Sequence, residues 1–220
     1  MKENRISRFT FMVTALLTLL PLFIGLLLYN RLPDQIPTHF SLDGQVDQYS
    51  SKNFTVFFMG LFLFALYLLC IFVTMHDPKI KNVSSKIISL TLWICPLIGL
   101  YISFIIYGKA LNLEIDITRI SMLLIGFIFV VIGNYLPKTR QNYTIGIKCA
   151  WTLNDKENWE KTHRFSGYLF VCAGIVVLLS VFLPGSYTMY ILFGILLVIG
   201  ILPFLYSYLF YKRKSSTEES

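Results

Sequence analysis

The sequence has 220 residues, of which 55% are hydrophobic and only 14% are charged, and its formal net charge is +7. Its mean hydropathy of +0.65 is far too high for a soluble domain of this length. The composition therefore excludes a soluble globular protein and indicates an integral membrane protein.

Six apolar runs are long enough to cross a hydrocarbon core, which requires roughly 20 apolar residues per helix. The period-two alternation of barrel strands is absent from these runs, so we predict helices. The run nearest the start is too long for a signal peptide and has no A-x-A-like cleavage site after it, so we expect it to be retained. The predicted fold class is an all-α integral membrane protein with six transmembrane helices, at residues 9–29, 54–75, 87–108, 120–136, 167–183 and 187–211.

Lysine and arginine are distributed unequally over the segments that connect these helices. Of the 19 basic residues, 15 lie in the two termini and in the second and fourth connections, which share one side of the membrane. The positive-inside rule places that side in the cytoplasm, so both termini are predicted to be inside. The net charge reflects this orientation, and we predict no direct contact with nucleic acid.

The first connection, residues 30–53, is the only sizeable segment on the predicted exterior. Pro33 and Pro37 favour extended backbone at the residues that precede them. Asp43-Gly44, flanked by short polar and apolar stretches, is typical of a two-residue hairpin turn. We predict a small extracellular hairpin-like loop.

Potential metal ligands occur in the same loop, at His39, Asp34, Asp43 and Asp47. Their spacing matches no pattern that specifies a metal site, and turn formation and solvation explain them equally well. We therefore predict neither a metal nor a cofactor.

The six predicted spans contain no Asp, Glu, Lys, Arg or His. Ionisable groups inside a membrane usually mark proton or ion pathways, so their absence argues against an ion-coupled transporter. Pro21, Pro96 and Pro203 fall inside spans and are predicted to bend them. Cysteine is absent from the predicted exterior loops, and no structural disulfide is expected.

The fourth connection, residues 137–166, is long, and loops of this length are usually functional. Asn154 and Glu157 have the spacing of a capping box. Glu157 with Lys161, and Glu160 with Arg164, are acid-before-base pairs four residues apart. We predict a cytoplasmic interfacial helix that runs into the fifth span.

Four residues of this helix share one face by the three-and-four rule: Trp159, Thr162, His163 and Ser166. Trp151 and Trp159 are predicted to lie at the level of the lipid headgroups. On the residues alone, anchorage of the helix in the interface, with a solvated His163, is favoured over a docking or ligand site.

The stretch from Gly133 to Gly167 resembles the C-terminal signature of the SdpI family of bacterial immunity proteins. The matching residues are Gly133, Asn134, Tyr135, Pro137, Asn142, Gly146, Ile147, Lys148, Trp151, Thr152, Leu153, Trp159, Thr162, His163, Arg164 and Gly167. One departure is Cys149-Ala150, where Thr or Ser followed by Pro is expected.

The first connection resembles the exterior motif of an uncharacterised domain that is often found at the N-terminus of these proteins. The motif is carried by Leu32, Pro33, Ile36, Pro37, His39, Gly44, Asp47 and Lys52. The two resemblances together predict an N-terminal membrane domain at residues 1–110 and an SdpI-like membrane domain at residues 111–220.

The resemblance implies a multi-pass protein of the bacterial cell membrane that confers resistance to a secreted peptide toxin. In particular family members it also implies capture of a small DNA-binding repressor at the membrane. The residues expected to face the toxin are Pro33, Pro37, His39, Asp43, Gly44 and Asp47. The expected cytoplasmic signature is Asn134, Pro137, Asn142, Gly146, Lys148, Trp151, Trp159, Thr162, His163 and Arg164.

Two other classes remain open on the residues alone. The first is a small transporter that exports the peptide or a lipid, although no phosphate-binding loop supports nucleotide drive. The second is a membrane enzyme that uses Cys149, Asp155 and His163, whose spacing matches no recognisable nucleophile and base. We predict that the chain is not an enzyme.

Overall fold

The computed structural model describes residues 7–41 and 44–218, which are mainly helical with one two-stranded sheet. Six of the described helices are long and apolar enough to cross a membrane, which confirms the predicted all-α class and its six spans. The chain forms two compact units, of which the first comprises Met1–His76 and Ser85–Ile117 and the second Asp77–Ser84 and Thr118–Ser220. The division at residue 110 that the motifs indicate stays a prediction.

The first unit contains α1 (Arg8–Leu28), strands β1 (Gln35–Phe40) and β2 (Val46–Ser51), α2 (Met59–Met75) and α3 (Ser85–Ala110). A π-helical stretch, Phe54–Phe58, leads into α2. Close helix approach is visible at Gly60, where an added Cβ would lie 2.5 Å from Leu22 Cβ of α1. Small residues at such crossings let transmembrane helices pack closely.

The hairpin is fixed to the first unit by its apolar residues. Leu32 and Ile36 are buried in one cluster with Val56, Ile106 and Tyr107. The strands pair antiparallel, with Pro37 opposite Tyr49 and irregular register on either side of His39. One face of the sheet is thus held by the helices, while most of β2 is exposed.

The hairpin connection is wider than the predicted two-residue turn. The Ser41 N–H donates to Gln45 O at 2.9 Å, and the Gly44 N–H donates to Ser41 O at 2.9 Å. Gly44 has φ 79°, a conformation that favours glycine. Asp43 lies outside the described residues.

The second unit contains α4 (Ile117–Tyr135), α5 (Ala150–Asn154), α6 (Lys156–Ser180) and α7 (Gly185–Glu218), with 3₁₀ turns at Ile80–Asn82 and Leu136–Lys138. A Cβ at Gly133 would lie 2.7 Å from Gly167 O, and a Cβ at Gly126 would lie 3.0 Å from Gly174 O. These glycine pairs bring the backbones of α4 and α6 into contact. Two of the motif glycines therefore serve helix packing.

The predicted interfacial helix and the fifth span form one continuous helix, α6. Pro21, Pro96 and Pro203 all lie inside helices, in α1, α3 and α7.

Candidate functional site

The polar residues of the second unit are concentrated in the segment between α4 and α6. We call residues 139–155 the signature loop. It has only one short helix, α5, and is otherwise irregular. Among the described residues, every buried side-chain nitrogen and oxygen has a hydrogen-bond partner. Since irregular backbone is ordered by its hydrogen bonds, the side chains that bind the backbone define the shape of this loop.

Asn142 organises the first turn of the signature loop and is completely buried. Its Oδ1 accepts hydrogen bonds from the N–H groups of Thr144 at 2.9 Å and Ile145 at 2.6 Å. Its Nδ2 donates to the carbonyl oxygens of Arg140 at 2.8 Å and Ile145 at 2.9 Å. Such local side-chain bonds are what favours Asn in turns.

His163 connects α6 to the middle of the loop. Its Nδ1 lies 2.8 Å from the Trp159 carbonyl oxygen, and its Nε2 accepts the Ile147 N–H at 3.0 Å. These partners require the neutral tautomer with hydrogen on Nδ1. The ring also stacks on Trp159 with centroids 4.0 Å apart, and the Trp159 indole N–H donates to Thr139 O at 2.7 Å. The pair therefore binds the loop at two points.

Trp159 and His163 both have no exposed surface. The prediction that His163 is solvated is therefore wrong, and Trp159 contacts the signature loop instead of lipid, while its level relative to the headgroups stays a prediction. Their face of α6 is covered by the signature loop, whose backbone supplies partners for both side chains. Trp151 is half-buried, and its ring lies 5.2 Å from that of Tyr208 of α7.

The carboxylate of Asp77, in the second connection, also binds the signature loop. Asp77 Oδ2 accepts the Tyr143 N–H at 2.9 Å and the Thr144 hydroxyl at 2.7 Å, while its Oδ1 accepts the Lys79 N–H at 2.7 Å. Burial acts to raise the pKa of Asp77, but these hydrogen bonds outweigh it and hold the pKa below its ordinary value. Asp77 is therefore ionised at neutral pH and binds the loop as a carboxylate.

The second half of the loop is fixed by Gln141 and Thr152. The Gln141 amide donates to the carbonyl oxygens of Thr152 at 2.9 Å and Leu153 at 2.8 Å. The buried Thr152 hydroxyl donates to Ile147 O at 2.9 Å and accepts the Cys149 N–H at 3.0 Å. These bonds join the two halves of the loop.

The departure from the family pattern at Cys149-Ala150 has a structural explanation. Cys149 is the N-cap of α5, and Ala150 is its first residue. Ser or Thr is preferred at an N-cap, and Pro is preferred at the first helical position. The expected pair is thus a helix start, and Cys149-Ala150 forms the same start without those preferred residues.

The start of α6 is capped by Asp155 and not, as predicted, by Asn154, which is the last residue of α5. Asp155 Oδ1 accepts the N–H groups of Glu157 at 2.8 Å and Asn158 at 3.3 Å. Its Oδ2 accepts from Lys214 Nζ of α7 at 2.8 Å. Burial opposes ionisation, but these bonds prevail and lower the pKa of Asp155. Asn154 and Asp155 are both good caps, which is why the pattern placed the start one residue early.

The predicted pair of Glu157 and Lys161 is confirmed at 2.9 Å. Glu160 lies 3.9 Å from Lys156 instead of pairing with Arg164. Exposed ion pairs of long side chains contribute little to stability, so Glu160 can pair with either Lys156 or Arg164 at a small difference in free energy.

The interior of the α6–α7 contact is polar. Asn158 Nδ2 donates to Ser207 O at 2.9 Å, and Asn158 Oδ1 accepts the hydroxyls of Ser207 at 2.7 Å and Thr162 at 2.9 Å. Ser166 continues the same buried face with a bond to Thr162 O at 2.7 Å. The predicted face of α6 is thus confirmed as one face, and it is an internal contact.

The structure divides the predicted cytoplasmic signature by exposure. The buried members are Asn142, Trp159, Thr162 and His163, and the exposed members are Asn134, Pro137, Lys148 and Arg164. Gly146 and Trp151 are half-buried, so the exposed members and the accessible part of these two are available to a partner.

A cleft of about 1010 Å³ opens beside the loop, between the 3₁₀ turn after α4 and the first turns of α6. Its basic lining residues are Lys138, Arg140, Lys156, Lys161 and Arg164, and its acidic ones are Glu157 and Glu160. The excess of positive charge suits a partner with an acidic surface.

The hairpin carries the residues expected to face a toxin. His39 Nδ1 lies 2.6 Å from Asp47 Oδ1, and both side chains are substantially exposed, at 61% and 43%. Pro33 is exposed, whereas Pro37 is buried and supports the sheet. An exposed surface around His39 and Asp47 is therefore available in the first unit.

Within residues 7–41 and 44–218, no three His, Cys, Asp or Glu side chains are grouped so that they could hold a metal ion. Cys149, Asp155 and His163 have separate partners in Ser207, Lys214 and Ile147. Burial acts to raise the pKa of Cys149, but hydrogen bonds with Ser207 and Thr152 lower it overall. Because the histidine nitrogen that would act as base already accepts an N–H, the three do not form a nucleophile and base.

Sequence reasoning missed several residues that order this site, namely Asp77, Gln141, Asp155, Ser207 and Lys214. Asp77 and Lys214 are distant in the chain from the loop they bind, and no periodicity connects them to it. Only Asp155 could have been recognised from the sequence, because Asp is a preferred N-cap residue. It directly follows Asn154, which is preferred at the same position, and the pattern was assigned to Asn154.

The fold and this loop define a class: a multi-pass α-helical membrane protein whose polar contacts are concentrated in one ordered loop. Residues 138–207 match the model of the SdpI/YfhL protein family, and residues 16–64 match a domain of unknown function, DUF1648. The chain is 28% identical over 217 residues to Immunity protein SdpI of Bacillus subtilis (strain 168), covering 97% of this chain and 98% of that protein. These matches confirm the resemblance to the SdpI family that the motifs indicate. No solved structure matches the chain significantly.

Proposed function

We propose that this chain is a multi-pass membrane immunity protein that protects its cell from a secreted peptide toxin. The observation that carries the proposal is the similarity to Immunity protein SdpI over almost the whole of both chains. The six apolar helices supply the membrane location that such a protein needs. The engaged side chains of Cys149, Asp155 and His163 favour a protein that acts by binding and not by catalysis.

The hairpin surface around His39 and Asp47 is the proposed contact for the toxin. Its side chains project from a sheet whose other face is anchored by Ile36. Rigid support of exposed polar groups lowers the cost of ordering them on binding. Asp47 also gives this surface a carboxylate for a cationic peptide, whereas Asp34 is paired with Lys52 at 3.1 Å.

The exposed part of the signature loop is the proposed contact for a cytoplasmic partner, such as a small DNA-binding repressor. Lys148 is exposed, and its Nζ donates to Thr144 O at 3.0 Å. Thr144 in turn binds Asp77, so the position of Lys148 depends on the buried bonds of the loop. A toxin could shift this surface only through different affinities for two arrangements of the protein.

The test is survival of a toxin-sensitive bacterium that expresses the chain, when exposed to culture supernatant of the strain that encodes it. The wild-type chain is expected to protect. His39→Ala is expected to weaken protection roughly tenfold in toxin concentration, which corresponds to about 1.4 kcal/mol of binding. The matched control is Glu114→Ala, an exposed residue in the third connection, which should protect as well as the wild type.

Failure of the wild-type chain to protect, at normal membrane levels, would contradict the proposal. Cell-associated peptide, measured in the same cultures, separates a binding protein from an exporter. An exporter must lower the amount of peptide on the cells, whereas a binding protein leaves it unchanged or raises it.

The proposed repressor contact is tested with a reporter under the promoter of the gene that encodes this chain. Lys148→Glu is expected to abolish induction of the reporter, while Lys212→Glu is not.

A further inference from the structure

A second concave surface lies between the ends of α6 and α7, and it shares Glu157, Lys161 and Arg164 with the cleft beside the signature loop. We call it the α6–α7 groove; it has a volume of about 740 Å³. The residues that matter to its chemistry are Lys161, Arg164, Phe165, Tyr206, Phe210 and Arg213. The proposed immunity function assigns it no role.

One half of the groove is aromatic. Phe165 of α6 stacks on Tyr206 of α7, with ring centroids 4.6 Å apart and planes at 9°. Tyr168, one turn further along α6, is 70% exposed. These rings offer an apolar surface to an occupant and not to the interior of the bundle.

The other half is basic. Lys161 Nζ lies 4.6 Å above the Phe210 ring and 2.9 Å from Glu157. Lys214 is engaged by Asp155 and Glu157, at 2.8 Å and 3.4 Å.

Arg164 and Arg213 are both exposed. Among the described residues, neither guanidinium is paired with a carboxylate, so both are available to an anion. Arginine is the side chain best suited to bidentate contact with phosphate oxygens.

The two halves are ordered along the helix axes. The helices run antiparallel, so Tyr168 and Tyr206 lie toward the apolar runs, whereas Lys161 and Arg213 lie toward the charged ends. At 1.5 Å per residue, the seven residues from Lys161 to Tyr168 span about 10 Å. The groove thus changes from cationic to aromatic over roughly the distance from a lipid phosphate to the upper acyl chain.

We propose that the α6–α7 groove binds one anionic glycerophospholipid, with its phosphate at Arg164 and Arg213 and an acyl chain along Phe165, Tyr168 and Tyr206. Basic pockets between transmembrane helices on the cytoplasmic side are suited to anionic headgroups, since that side faces acidic lipid. The aromatic half decides between sources of the anion. A free phosphate would use only the arginines, and an acidic peptide would leave Tyr168 in contact with bulk lipid.

The experiment uses the purified full-length chain in a neutral detergent, with lipid binding measured by native mass spectrometry. The probes are phosphatidylglycerol and phosphatidylcholine with identical acyl chains. The wild-type chain is expected to bind phosphatidylglycerol about tenfold more tightly than phosphatidylcholine. Arg164→Gln with Arg213→Gln should abolish this preference, and Tyr168→Ala should weaken binding of phosphatidylglycerol.

The matched control is Arg140→Gln with Lys212→Gln, which removes the same net charge at exposed residues outside the groove. It should retain the preference. Helical circular dichroism and elution volume establish that each variant is folded.

Three results would overturn the proposal. If the wild-type chain binds the two lipids with equal affinity, the groove does not recognise the headgroup. If the control variant loses the preference for phosphatidylglycerol as fully as the groove variant does, the preference comes from net charge and not from the groove. If soluble glycerophosphoglycerol, inorganic phosphate or hexaglutamate binds with the same dependence on the two arginines and phosphatidylglycerol does not compete, the groove takes a soluble anion or an acidic partner. Each of these readouts is independent of toxin protection.

Discussion

Gly146 lies where the signature loop meets the aromatic pair of α6. Its φ is +125°, outside the range that L side chains readily adopt. A Cβ at this position would lie 2.4 Å from His163 Nε2 and 3.1 Å from the Trp159 ring. A side chain would therefore displace the nitrogen that accepts the Ile147 N–H. The motif glycine is needed for the bond between loop and helix.

This contact predicts the effect of Gly146→Ala. We expect a loss of about 1–3 kcal/mol in unfolding free energy, because the alanine combines backbone strain with displacement of His163. The measurement is thermal or denaturant unfolding in detergent. The control is Gly194→Ala in α7, where an added Cβ would meet no atom within 4 Å beyond the adjacent backbone of its own helix. If the two variants are equally stable, the close contact at Gly146 does not contribute to folding.

The same residues show how far sequence reasoning reaches at this scale. Helical spacing correctly placed Trp159 and His163 on one face of α6. It could not show that this face is buried, because the covering residues come from a loop without periodicity. Tryptophan near a membrane surface suits an interfacial position equally well, so the pattern alone favoured the wrong environment for Trp159.

At the scale of the element, α6 joins a polar start to an apolar span without interruption. Asp155 caps its first N–H groups and pairs with Lys214 of α7. A single carboxylate thus fixes both the first turn of α6 and the end of α7. Negative charge at a helix N-terminus is also favoured by the helix dipole.

Replacing this cap tests its two contributions separately. Asp155→Ala is expected to cost about 1 kcal/mol at neutral pH, as N-cap deletions usually do. Asp155→Asn keeps a good cap and loses only the charge, so it should cost less. The measurement is reversible unfolding in mixed micelles.

The pH dependence has a defined sign. Because the folded pKa of Asp155 is lowered from 3.8, its charge stabilises the protein above that value, and this contribution disappears as the pH falls through the lowered pKa. The difference in unfolding free energy between the wild type and Asp155→Ala should therefore stay constant from pH 7 to 5. It should become smaller only below about pH 4. Narrowing already between pH 7 and 5 would contradict the assignment.

The six long helices were predictable from composition, since an apolar run of some 20 residues has few alternatives in a membrane. Their ends were less so. The helix that contains the fifth span, α6, begins at Lys156, 11 residues before the apolar run that starts at Gly167, because residues 156–166 continue the helix on contacts that hydropathy does not detect. The hairpin was expected, but its connection proved wider than the Asp43-Gly44 signal indicated.

At the scale of the whole molecule, the functional assignments depend on which side of the membrane each loop occupies. The hairpin can meet a secreted toxin only from outside, and the signature loop can meet a cytoplasmic partner only from inside. The support for this orientation is the distribution of charge, with 15 of the 19 basic residues in the segments that are predicted to be cytoplasmic. The orientation is therefore the prediction on which both contacts rest.

Single cysteines test it directly. In a background where Cys70, Cys95, Cys149 and Cys172 are replaced by serine, Tyr49→Cys and Lys148→Cys place one exposed thiol in the hairpin and one in the signature loop. A membrane-impermeant maleimide should label Tyr49→Cys in intact cells. It should label Lys148→Cys only after permeabilisation, because the bilayer excludes the reagent from the inner face. Labelling of Lys148→Cys in intact cells would show that the orientation is the reverse of the predicted one. The positive-inside rule would then not apply to this chain. The hairpin would face the cytoplasm, where it could not bind a peptide from outside.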